Sequence, residues 1–192
     1  LYAIPSENYM FDAAMSSAMV HLNGDETMDF LFFAGVTGDI FSQVWIEPKW
    51  QYHDAYSDVG KYTQNPIRRA FDACGYTYEF VDKGTLQQDK NKYIRKIVES
   101  IDKGHPVLTF GIVGPPICSI ICGYDRQGEV LIGWSQFTDE PGAGPTDAVQ
   151  SSGQFRKENG LDNSQALVFI GNKKGKNIPS TAGSMRQSLL HI

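Results

Sequence analysis

Between Gly104 and Phe137 the chain reads GHPVLTFGIVGPPICSIICGYDRQGEVLIGWSQF. Three runs rich in Val, Ile, Leu, Phe and Cys are separated by a Gly-Pro-Pro segment and by Asp-Arg-Gln-Gly. Apolar runs of this length, rich in β-branched residues and bounded by Gly and Pro, read as strands folded back on one another. The rest of the chain is organised around this three-strand core.

Upstream, helical periods dominate. Phe11, Ala14, Met15, Ala18 and Leu22 fall on one face of a helix over residues 8–23, and Gly24 stands where a terminating glycine belongs. His21, near the C-terminal end, suits the negative pole of that helix. A shorter helix is predicted over Glu26 to Phe33, followed by a tight turn bracketed by Gly35 and Gly38. Backbone N–H groups at such a turn can cradle an anion, though a plain turn is the commoner use. Trp45 and Trp50 read as core side chains or as pocket walls. Residues 51–63 read as a polar, aromatic loop. Its adjacent His53 and Asp54 are not oriented as a catalytic pair.

Asn65 is predicted to cap a helix with Pro66 at its first position, its buried stripe is Ile67, Ala70, Phe71 and Cys74, and Gly75 ends it. Cys74 is then a small core residue. Tyr76 to Val81 alternates as a strand, and Lys90 to Asp102 is the clearest helix, with Tyr93, Ile94, Ile97, Val98 and Ile101 on one side. His105 falls in the turn before the sheet and is predicted to face solvent. Thr138 to Gln165 is rich in Gly, Ser, Asp and Pro and is predicted to be a mobile flap or a binding loop. Ala166 to Gly171 reads as a last buried strand, and the tail turns helical at Met185 to Leu190.

The chain of 192 residues is long enough for one domain with a short appendage: an α+β domain over 1–171 and a tail over 172–192. A net charge of -5 argues against a general nucleic-acid or anionic-membrane surface. No apolar run is long enough to span a bilayer. Three cysteines do not make a disulfide framework, and Leu1 opens no basic-then-apolar leader pattern, so the expected location is the cytoplasm. The ends have the look of a segment of a longer polypeptide. Cys118 and Cys122 project to one face of their strand but lie about 13 Å apart along it, too far for a disulfide. No Cys-x-x-Cys or His-x-x-His spacing offers a metal site.

The run from Pro106-Val107 through Gly123-Tyr124-Asp125 to the following Gly and Val resembles the C-terminal sheet of papain-like cysteine peptidases. It is most similar to the double-glycine leader peptidases, and nearer still to the butirosin-biosynthesis acyltransferase N-terminal domain type. The resemblance runs from roughly Tyr9 to Gly171 and implies N-terminal helices packed on a C-terminal antiparallel sheet. In the family a cysteine opens the first helix, a histidine precedes the GYD strand, and an aspartate on the next strand orients the ring. Those three places are held here by Phe11, Ile117 and Trp134. The oxyanion glutamine falls near Pro5, with Asn8 the only amide nearby. A glycine-rich cleft element of related proteins, G-S-G-x-A-F, is matched at Gly38 and Phe41 only.

The resemblance therefore implies a papain-like fold without its thiol machinery and with no catalytic residues, metal or cofactor. Its former cleft, at Phe11, Gly38, Phe41, Ile117, Cys118 and Trp134, would suit an apolar or aromatic small molecule or a protein partner. The alternative is a thiol-dependent acyltransferase or amide hydrolase in which Cys118 serves as a relocated nucleophile. A third reading is an assembly domain.

Overall fold

A computed structural model describes residues 10–24, 26–41, 64–114, 116–135 and 154–174. Helix α1 spans Met10–Asn23. Helix α2 spans Phe30–Thr37, and a single 3-10 turn follows over Asp39–Phe41. Helix α3 (Asn65–Cys74) leads into strand β1 (Tyr76–Asp82). Helices α4 (Lys83–Gln88) and α5 (Lys90–Asp102) follow. The predicted core is then β2 (Val107–Phe110), β3 (Cys118–Asp125) and β4 (Val130–Trp134). Strands β5 (Phe155–Glu158) and β6 (Ala166–Lys173) complete the described chain.

The six strands form one sheet in the order β1-β6-β2-β3-β4-β5. Every neighbouring pair is antiparallel. Alternation along the strands sends one set of side chains to each face. Leu108, Phe110, Cys118, Ile120, Val168 and Ile170 pack with α1, α2 and α3. Val107, Ile121, Leu131, Phe155, Leu167 and Phe169 pack with Tyr93 and Ile97 of α5 and with Leu86 of α4. The fold is α+β, with helices on both faces of an antiparallel sheet. Among the described residues no helix is long and apolar enough to cross a membrane.

Several local expectations are corrected. Asn65 is the first residue of α3 and not its cap; Gln64 holds the cap position and makes no side-chain cap hydrogen bond. The second helix lies later than Glu26 to Phe33 because Asp29 caps it, its side chain accepting the Phe32 N–H at 2.8 Å. Gly35 is consequently inside α2 rather than at a turn, and Gly38 alone ends the helix, with φ 87°. The long Gly/Ser/Pro stretch is not all connection. Its C-terminal part forms β5 and a 3-10 turn over Gly160–Asp162, while residues 136–153 lie outside the described region. Helix α4 has no apolar period to announce it and is set by Asp82, which accepts from the Thr85 N–H and hydroxyl. His105 is half-buried, its Nδ1 3.0 Å from the Ile170 carbonyl, rather than facing solvent.

Gly133 shows how tightly the far strands approach. A Cβ there would stand 1.9 Å from the Ile120 carbonyl oxygen and 2.7 Å from Phe155 Cζ. The absent side chain is what lets the Phe155 ring lie over β4 at the β3 junction.

Candidate functional site

Helix α1 lies against β3, and α2 meets both α1 and α3. Phe11 is buried here and stacks on Phe110 of β2, with ring centroids 6.5 Å apart. Ile117 and Cys118 are buried in the same cluster. Three predicted cleft residues are thus brought together, but as packing side chains of a core and not as exposed walls. Trp134, opposite Ile120 on β4, is half-buried and keeps some surface. Gly38 ends α2 beside this region, and Phe41 closes the 3-10 turn that follows, its side chain outside the described region. Trp45, Trp50, His53, Asp54 and the tail helix also lie outside the described residues.

Next to Phe11 stands a residue whose role the sequence reading missed. Asp12 is 0 % exposed, and among the described residues neither of its carboxyl oxygens makes a well-formed hydrogen bond. The groups acting on it are the Asp39 carboxyl and the Thr37 hydroxyl. Asp39 is also buried, at 7 % exposure. Thr37 is itself committed to the helix, its hydroxyl donating to the Phe33 carbonyl at 2.9 Å. Arg69 of α3 reaches across: its Nε donates to the Val36 carbonyl at 3.2 Å and its Nη2 to the Thr37 carbonyl. The guanidinium thereby serves the free carbonyls at the α2 C-terminus while facing Asp39.

The electrostatics follow from burial. Removal from water raises the Asp12 pKa well above the usual value, and the neighbouring Asp39 raises it further. Burial raises Asp39 to about 6, against the opposing pull of Arg69. Cys118 is pushed far up, first by burial and then by the Asp12 carboxyl. Burial also raises Cys74, to about 11, and Cys122.

A thiolate needs a cation, an imidazolium or a helix N-terminus beside it. Cys118 has a carboxyl instead. The described histidines are engaged elsewhere: His21 Nε2 lies 3.1 Å from the Gly104 carbonyl, and His105 bonds β6. No group of three His, Cys, Asp or Glu among the described residues could hold a metal ion. The signal for Asp12 was present in the sequence. It is a lone acidic residue on an otherwise uncharged helix face, one position from Phe11 and three from Met15.

Comparison with protein-family models, with curated proteins and with solved structures finds no match for this chain.

Proposed function

We propose that this chain is a non-catalytic domain of papain-like type that binds an apolar or aromatic small molecule, or a protein partner, beside the α1–β3 junction. The observation that carries this reading is the environment of Cys118: a buried thiol facing a carboxyl, with its pKa driven up instead of down. A nucleophilic cysteine requires the opposite. Trp134, half-buried on β4 at the margin of the same sheet face, offers the aromatic surface for a ligand.

The test is iodoacetamide alkylation of the native protein as a function of pH, read cysteine by cysteine by peptide mass spectrometry. Slow labelling at all three thiols up to alkaline pH is expected, together with a small molecule or partner retained in native mass spectrometry and weakened by Trp134→Ala. Fast labelling of one thiol well below pH 7 would replace this reading with thiol-dependent acyl transfer or amide hydrolysis.

A further inference from the structure

We propose that the groove between α5 and the β1–β6 edge of the sheet binds a small zwitterion of the α-amino acid class, its ammonium group held by Glu99 and His105 and its carboxylate by Lys103. The cavity there is about 310 Å3, the size of a small-molecule site. Its floor is the α5 face of the sheet, where Phe169 and Gly171 of β6 lie two residues apart and so share one side. Strand β1 adds Thr77 and Glu79. Gly171 is required by the close approach of the two strands, since a Cβ there would stand 2.2 Å from Thr77 Oγ1. The wall is a stripe of α5 and its C-cap, with Lys96, Glu99 and Lys103 at helical spacing. Gly104 ends the helix with φ 78°, its N–H donating to the Ile101 carbonyl at 2.8 Å, and the His105 N–H donates to the Ser100 carbonyl at 2.9 Å. That turn sets His105 in the lining of the same groove.

The polar groups of the groove divide into those already engaged and those left open. Lys96 is engaged: its ammonium pairs with Glu79 and lies 4.7 Å from the centre of the Phe169 ring. Glu99 and Lys103 stand one turn apart, a spacing at which Glu and Lys can pair. Among the described residues neither side chain makes an ion pair or a hydrogen bond. His105 is half engaged. Its Nδ1 lies 3.0 Å from the Ile170 carbonyl, which only accepts, so Nδ1 carries the proton. Nε2 of the neutral ring is then an acceptor held in place by that bond, and no described residue uses it. The negative pole of the α5 C-terminus adds to Glu99 and Nε2 in favouring an ammonium group. Two lysines and two glutamates leave the lining with no net charge. A lone cation would meet the uncompensated Lys103, and a lone anion the uncompensated Glu99. A molecule carrying both charges a few bonds apart answers both.

The test is an NMR titration of the full chain, labelled with 15N in its histidine rings, at fixed neutral pH. The probes are L-alanine, L-alaninamide, which keeps only the ammonium group, and N-acetyl-L-alanine, which keeps only the carboxylate. L-alanine is expected to shift the His105 ring signals saturably, with half-saturation at about 1 mM. Each half-probe should bind about tenfold more weakly or worse, the loss of one charge-assisted contact. Glu99→Gln and Lys103→Met lie on exposed helix surface, so the fold stands in both, and each should weaken L-alanine binding by a similar factor. No saturable shift at His105 with L-alanine overturns the proposal. So does equal binding of either half-probe, or L-alanine binding that is unchanged in both variants.

Discussion

The two faces of the sheet handle polarity in different ways. On the side of α1, α2 and α3, two carboxyls, a half-buried guanidinium and three thiols sit among Phe11, Phe33 and Phe71. On the side of α5, the buried polar atoms of the strands are hydroxyls. Thr109 donates to the Ala166 carbonyl at 3.3 Å, and Ser119 lies opposite it in the β2–β3 register. Charges on that side stay at the rim, where the Lys90–Asp162, Lys96–Glu79 and Arg126–Glu158 pairs remain partly exposed. Both faces bury a contiguous apolar core, so the carboxyls are not needed to complete one. A buried ionisable group costs stability unless its environment offsets the lost hydration. Among the described residues the α5 face buries one unpaired hydroxyl, that of Ser119, while the other face accepts the larger penalty of buried ionisable groups.

Breaking the packing face should have the largest effect. Gly133→Ala would drive a methyl group into the Ile120 carbonyl and the Phe155 ring. A loss of about 4 kcal/mol or more is expected, or failure to fold, read by denaturant unfolding. Ile97→Ala empties a fully buried site under α5 and should cost about 3 kcal/mol, by the same amount at acidic and alkaline pH.

On the other face the expected losses depend on charge. Arg69→Met strands the Val36 and Thr37 carbonyls and the Asp39 carboxylate, for about 3 kcal/mol at neutral pH. Because an ionised Asp39 is the group left behind, the loss should shrink below about pH 6, where Asp39 takes up a proton. The sign of the wild-type pH dependence is fixed by the raised carboxyls. The folded state binds protons more tightly than the unfolded chain, so this contribution is full below about pH 4 and is lost as pH rises through about 6 for Asp39 and higher for Asp12. For Asp39 a rise from 3.8 to about 6 corresponds to about 3 kcal/mol. Asp12→Asn should remove the alkaline part of that slope. Smallest of all, Lys96→Ala at the rim should change stability by under about 1 kcal/mol, since its ion pair with Glu79 is partly solvated.

Much of the scaffold was legible because local signals agreed with the final packing. The α5 period and the glycine and proline punctuation of β2, β3 and β4 each point to the element that forms. Strand β5 (FRKE) was not legible: one apolar residue in four gives no alternation, and its pairing with β4 is what makes it a strand. The shift of α2 came from a cap, since MDFLFF is apolar throughout and carries no phase of its own. The site was legible only in part. Aligning positions pointed to Phe11, Ile117 and Trp134, but Asp12, Asp39 and Arg69 come from three elements whose meeting is a tertiary fact. Their spacing along the chain carries no motif.

The sheet order has a consequence for synthesis. Strand β6 lies between β1 and β2, so those two strands never touch in the described sheet. As the chain leaves the ribosome, β1 and its attached helices must wait for residues 166–173 before their sheet partner exists. Until then the nascent chain carries two open strand edges that are exposed to mispairing. A product ending before Ala166 should accordingly be recovered as aggregate or bound to chaperones, even though it contains the Asp12, Asp39 and Arg69 cluster in full.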